Sequence, residues 1–355
     1  MRTVTQTANE DSEPRLARSF LFCLCGDRNK ASSRVRGYWL GEIMREQGIR
    51  CTLENRHSKH RLLWFWWQIL FHDVVIFQKV YSQYHYFLLL WAHCLKKTTI
   101  LDLDDAPSRT QNSKTLRNVE RMMSLASAVT VGSQALLDYT CQFTKNVHLV
   151  PSNIYLKYYQ PDQRKPATDL VCLGWIGNGS HYKQDLIAIL KQPLTKIAQN
   201  RPIKLKLIGA CGEPSIYEAF SNIPGLTLDC IDQLEWSNPQ AISSALTHVD
   251  IGLYPLLSNA FNQYKCGFKA LEYMAMEIPM VSSDIAGNRE IIEQGVTGLF
   301  AQTPEEWIQQ LEYLLDNETA RLAMGRKGRV IVEDHYSIAC TVKTVLQAVV
   351  VHNQK

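Results

Sequence analysis

At 355 residues, 46% of them hydrophobic and 20% charged, the chain has the make-up of a globular protein long enough for two domains of ordinary size. Its 38 Lys and Arg against 34 Asp and Glu leave a formal charge of +4, too mild for a nucleic-acid binder. No apolar run reaches the length of a membrane span, and the ten cysteines show neither a CxxC pair nor zinc spacing. Free thiols in a reducing cytosol, without a secretory signal, are the expected setting.

Residues 1–15 are polar and acidic-leaning and read as a disordered tail. Beyond them, short β-rich runs alternate with helical stretches, the mark of parallel α/β sheets. In the first half, strands are expected at Ser19–Cys25, Ile49–Glu54, Asp73–Val80, Thr98–Asp104, Ala128–Val131 and Val147–Val150. Helical stretches lie between them, such as Arg34–Gln47, which Gly48 terminates. The polar stretch Tyr158–Thr168 reads as a linker. In the second half, strands are expected at Leu170–Ile176, Ile203–Ile208, Leu226–Cys230, Ile251–Tyr254 and Met280–Ser283, and Ala320–Val350 is helical in pattern. The fold class is α/β, with Rossmann-like domains at 16–160 and 161–335 facing across a cleft. Ligands then bind at the carboxyl ends of the strands.

Five segments could carry chemistry. In Lys30–Leu40, KASSRVRGYWL, Ser32 or Ser33 can cap a helix whose first turn holds Arg34 and Arg36. The helix dipole disfavours cations there, so the arginines meet either an anionic ligand or local acids. The aromatic stretch Lys59–His72 is apolar nearly all round, which favours a buried helix; its basic start leaves open peripheral membrane contact through Lys59–Phe71. ILDLDDA ends a strand with Asp102, Asp104 and Asp105, a metal pair, a phosphatase-type nucleophile and acid, a cleft-edge cluster or helix caps. Pro107 stands where the phosphatase pattern needs threonine.

GWIGNGSHYKQD, Gly174–Asp185, follows a strand and opens a helix, and Gly177 and Gly179 leave room for a pyrophosphate. Ser180 could also cap that helix. Residues 265–300, KCGFKALEYMAMEIPMVSSDIAGNREIIEQGVTGLF, read as a glycine-opened helix carrying Glu272, a buried strand and a second glycine-opened turn. Helix N-termini attract anions, glycines admit a phosphate, and a carboxylate further along can accept from ribose hydroxyls. An ordinary helix–strand–helix unit has the same spacing.

This last segment resembles the donor site of family 4 (group 1) glycosyltransferases with the GT-B fold. Their pattern runs E-x7-E with FG near its start, EAMACG-PVIA, then G-G-x-x-E-I-I-x-x-G-x-x-G-L. The chain offers Gly267, Glu272, Tyr273-Met274-Ala275-Met276, Pro279-Met280-Val281, Gly287, Glu290, Gly295 and Gly298. The first glutamate falls at Tyr264 and is missing; a branch of the family reading KCGFK lacks it too. The loop at 174–185 is similar to the family's opening donor loop, with Asn178 where many members have arginine, and Ser180, His181, Asp185 and Leu186 fit a subgroup.

The resemblance implies a retaining, metal-independent transfer of a sugar from a nucleotide-diphosphate sugar to a glycan, lipid or small-molecule hydroxyl, with no cofactor. It implies donor contacts at Gly177, Asn178, His181, Lys265, Gly267, Phe268, Lys269, Glu272, Gly287 and Asn288. It assigns catalytic work to Asp104, Asp105 and Lys183, and the acceptor or phosphate side to Ser33, Arg34 and Arg36. Lys265 and Lys269 are either phosphate contacts or solvated lysines. The last helix, within 336–355, is expected to cross back to the first domain. A catalytically silent binding protein and a nucleotide-sugar epimerase remain alternatives.

Overall fold

The structure, a computed structural model, describes residues 19–55, 62–105, 113–161, 170–259 and 262–350. The tail at 1–15, part of the linker and Lys59–Arg61 lie outside them.

Runs such as SFLFCL and VVIFQ are apolar throughout because both faces of their sheet are covered. The first sheet is formed by β1 (Ser19–Leu24), β2 (Arg50–Glu54), β3 (Val74–Gln78), β4 (Thr98–Leu103), β5 (Ala128–Val131) and β6 (Val147–Leu149). Its order is β2-β1-β3-β4-β5-β6, all parallel. Side chains alternate strictly: Leu21, Val75 and Leu101 enter one buried cluster, while Phe20, Phe22, Ile76 and Ile100 enter another.

The second sheet is formed by β7 (Cys172–Ile176), β8 (Ile203–Ile208), β9 (Leu226–Ile231), β10 (Ile251–Tyr254), β11 (Met280–Ser283) and β12 (Gly298–Ala301). Its order is β12-β11-β10-β7-β8-β9, again parallel. The strand β12 was not expected: its four residues sit inside the glycine-rich tail of the motif, which reads as a turn. The strand order reverses between β1 and β3 in one sheet and between β7 and β10 in the other, and such switch points place ligands.

One apolar cluster runs from the first sheet through Trp39, Ile154 and Tyr159 to Tyr273 and Met274 of the second domain. The helix Ile338–Val350 packs on the helix Leu40–Glu46 of the first domain, with Val342, Val345 and Val349 buried. At the crossing, the Ile154 N–H donates to Tyr336 O (2.8 Å) and the Ile338 N–H to Ile154 O (3.0 Å).

The aromatic stretch corrects the buried reading. In the helix Leu62–Leu70, Phe65 and Ile69 are buried, but Leu63, Trp67 and Leu70 are exposed.

Candidate functional site

A cleft of about 930 Å³ lies between the two sheets, within the size range of small-molecule sites. It is lined by residues following the carboxyl ends of β1, β4 and β7, by Tyr254 at the end of β10, and by the segment from Lys265 to Glu272.

Gly267 adopts φ +61°, a left-handed conformation that glycine takes without penalty, and starts the helix Phe268–Ala275. That turn sets Gly267, Phe268, Lys269 and Glu272 on the cleft wall. Glu272 is only 4% exposed, and the Tyr159 hydroxyl donates to its Oε1 at 2.9 Å. Burial pushes the Glu272 carboxyl above the usual range, against the pull of Arg34, Tyr159 and Lys269. Arg34 is fixed across the cleft: its Nη1 donates to the carbonyls of Arg28 (3.0 Å) and Trp236 (2.7 Å). Its Nε is buried without a hydrogen-bond partner among the described residues.

Gly177 lacks a side chain where Trp175 and the Lys269 stem pass within 2.8 Å of an added Cβ. Asn178, not Ser180, caps the helix Gly179–Asn200: its Oδ1 accepts from the His181 N–H at 3.2 Å. His181 is exposed on the cleft lining. Lys269 sets its ammonium 3.9 Å from the Tyr182 ring centre and 5.2 Å from that of Tyr254, a cation–π arrangement. Burial opposes ionisation of Tyr182, yet Lys269 and Lys265 hold its phenol below the ordinary tyrosine value.

The first domain contributes Lys79, Asp104 and Asp105. Lys79 pairs with Asp104 at 2.9 Å and with Asp105, and Asp105 lies 3.6 Å from Lys265 of the second domain. Burial alone would raise the Asp105 carboxyl, but Lys79 and Lys265 hold it below the usual range. Asp105 is therefore ionised at neutral pH and accepts hydrogen bonds rather than supplying protons.

Other expected residues lie apart from the cavity or are committed elsewhere. Arg36 borders the cleft, but Nε and Nη2 bind Asp102 at 2.8 and 2.5 Å and Nη1 binds Val150 O at 2.7 Å. It ties the helix after β1 to β4 and β6, so each of its three nitrogens is already bonded within the first domain. Ser33 is buried and bonds Gln78 (3.3 Å). The helix starts at Ala31 without a side-chain cap, so Arg34 and Arg36 stand a turn further in, within a π-helical stretch Arg34–Trp39. Lys183 pairs with Glu213 at 2.9 Å and is absent from the lining, which leaves the catalytic role expected of it without geometric support. Asn288 is buried, its Nδ2 donating to Ser282 Oγ (2.7 Å) and Ser283 O (3.0 Å). Tyr264 packs against the first domain's core, so its position faces away from the cleft.

Gly287 also lies outside the lining and acts on its shape. An added Cβ would collide with the Lys265 carbonyl. Gly287→Ala is expected to displace the 265–267 turn and cost about 1–3 kcal/mol, read from chemical denaturation. Lys79, Tyr159, Tyr182 and Trp236 join the site without having been anticipated. The one local signal was Tyr182, inside the glycine-rich loop segment.

Residues 171–317 match the family described as "Glycosyl transferases group 1". The chain has the two-domain GT-B fold, and its second domain carries this family match. Solved structures with the same fold include Anabaena HepE in complex with UDP and glucose, 12% identical with a TM-score of 0.69 over 93% of this chain and 98% of that one. A Rickettsia africae glycosyltransferase is 13% identical, TM-score 0.69, covering 95% and 97%. Sucrose-phosphate synthase from Thermosynechococcus elongatus is 14% identical, TM-score 0.66, covering 93% and 97%. At these identities the likeness is one of fold. No curated protein sequence matches. No described helix is long and apolar enough to cross a membrane.

Proposed function

We propose that the chain moves a sugar from a nucleotide-diphosphate sugar to an acceptor hydroxyl, with retention and without a metal. The observation that carries this reading is the order of groups across the cleft. Glu272 stands one turn from Lys269, Lys269 and Lys265 flank Tyr182, and Lys265 reaches Asp105. A nucleotide sugar presents ribose hydroxyls, two phosphates and a sugar in the same order.

In this reading Glu272 accepts from the ribose. Lys265, Lys269 and the N-terminus of the helix Phe268–Ala275 take up the charge that grows on the leaving diphosphate, preorganised electrostatics in place of a cation. Asp105, with Asp104 and Lys79, orients sugar or acceptor hydroxyls. The leaving phosphate takes the acceptor's proton from the face it vacates. Asp105, from across the cleft, and Lys265 then supply the polar contacts that the family's first glutamate makes and Tyr264 cannot. The UDP seen in HepE makes uridine nucleotides the first donors to try.

The test is thermal stabilisation by UDP, GDP, ADP, TDP and their sugars in chelator, followed by the anomeric configuration of the product. A specific shift is expected in chelator, and Lys269→Met should weaken donor binding about tenfold or more. A nucleotide-dependent shift with no turnover on any acceptor would favour the silent binding protein, the reading that Tyr264 suggests. Stabilisation that needs a divalent cation would sink the metal-independent mechanism.

A further inference from the structure

The helices Leu62–Leu70 and Gln83–Cys94 lie side by side on the first domain. Trp66 and Trp91 meet at 5.3 Å between ring centres, and Trp91 Nε1 donates to Trp66 O at 3.3 Å. Their inner side chains, Phe65, Ile69, Leu88 and Leu89, are buried in the core. The outer ones are uncovered: Leu63 is 81% exposed, Trp67 60%, Phe71 50%, Phe87 48% and Leu70 40%. Leu63, Trp67, Leu70 and Phe71 fall at i, i+4, i+7 and i+8, one stripe along the helix. Only Tyr313, Leu322 and Val330 are comparably exposed elsewhere among the described residues.

Charge on the two helices and their ends is one-sided: among the described residues from Leu62 to Lys97 the bases are Lys79, which belongs to the cleft, Lys96 and Lys97, against a single acid, Asp73. Asp73 already accepts from Ser19 Oγ at 2.8 Å. At the end of the helix, Arg50 donates to Phe71 O and Lys97 donates to Leu70 O (3.0 Å). These contacts set cations at the rim of the stripe, where the helix C-terminus favours them. Lys96 and His93 are exposed nearby.

We propose that this face docks on the surface of an anionic lipid bilayer. Trp67, Phe71, Leu63 and Leu70 enter the boundary between headgroups and acyl chains, and the cationic rim meets lipid phosphate. A concentrated exposed apolar patch marks an interaction site, and the rim selects the occupant. A second copy docked about a two-fold axis would set the same cationic rim against itself, whereas an acidic bilayer complements it. The helix has nine residues and lies along the surface rather than crossing it. The inference uses this face alone and does not depend on the transfer reaction.

The experiment is flotation of the full chain with phosphatidylcholine vesicles, with and without phosphatidylglycerol, beside sedimentation of the protein alone. The protein should float with the anionic vesicles and bind at least about tenfold less to the neutral ones or at high salt. The double variant Trp67→Ser, Phe71→Ser removes exposed side chains only. It should keep the parent's circular dichroism and unfolding midpoint while partitioning about tenfold less. A single variant, Leu63→Ser, keeps the test open if the double variant is unstable. The proposal is overturned by absence from anionic vesicles, by flotation that these variants leave unchanged, or by a dimer of the parent that they dissociate.

Discussion

A Glu272→Gln protein is expected to fold as the parent does and to lose about ten- to a hundredfold in donor affinity and kcat/KM. The two effects separate because of what surrounds the side chain. Glutamine keeps the Oε1 that accepts from Tyr159, so the buried hydroxyl stays paired. It lacks the charge that strengthens a hydrogen bond from a ribose hydroxyl. The native carboxylate is buried, with its pKa raised, so the fold supports an ionised group at a cost. The unfolding midpoint of Glu272→Gln should therefore equal or exceed the parent's. Glu272→Ala is different: it orphans the Tyr159 hydroxyl as well, and should add about 1–3 kcal/mol of destabilisation. Thermal melts with and without nucleotide on the pair of variants check this. A glutamine variant with parental donor affinity would remove Glu272 from the donor site.

The largest expected change in stability is at Asp102. Asp102→Ala strands the Arg36 guanidinium beneath the sheet end, 4% exposed and held otherwise by one carbonyl. It also frees the Thr130 hydroxyl, which donates to Asp102 at 2.6 Å. Breaking a buried pair from one side costs about 3–5 kcal/mol, a fall in the unfolding midpoint of about 4–7 °C for a chain of this length. Replacing both partners, Arg36→Met with Asp102→Leu, leaves no stranded charge and should cost less than Asp102→Ala alone. If the double variant unfolds as early as the single one, the damage comes from packing rather than from an uncompensated cation.

How much of this was legible in the sequence depends on the range over which each interaction acts. The strands were readable because a parallel sheet covered on both faces demands consecutive apolar residues, and Ala128–Val131, Ile203–Ile208, Ile251–Tyr254 and Met280–Ser283 match to the residue. The short β12 was hidden, since Gly298 and its neighbours also satisfy a turn. Glu272, Lys269 and Gly267 were readable as a group because glycine, lysine and glutamate share one local helix. Their partners were not. Tyr159 lies 113 positions from Glu272 and Asp102 lies 66 from Arg36, and no local pattern couples such pairs. The helix after β1 was misplaced for a related reason. Ser33 looks like a cap, but its hydroxyl is bonded to Gln78 at the end of β3, so the helix begins three residues before Arg34 without it.

The return of the helix Ile338–Val350 bears on how the molecule is made. Its valines complete the apolar surface around Trp39, Leu40 and Met44, residues translated some three hundred positions earlier. During synthesis the first sheet can pair its strands while one flank is still bare, and the whole second domain must emerge before the covering segment exists. The first domain to begin folding is thus the last to be closed. A ribosome stalled late in the message, or a protease that clips near residue 337, would leave a chain with both sheets formed and a greasy flank open to chaperones.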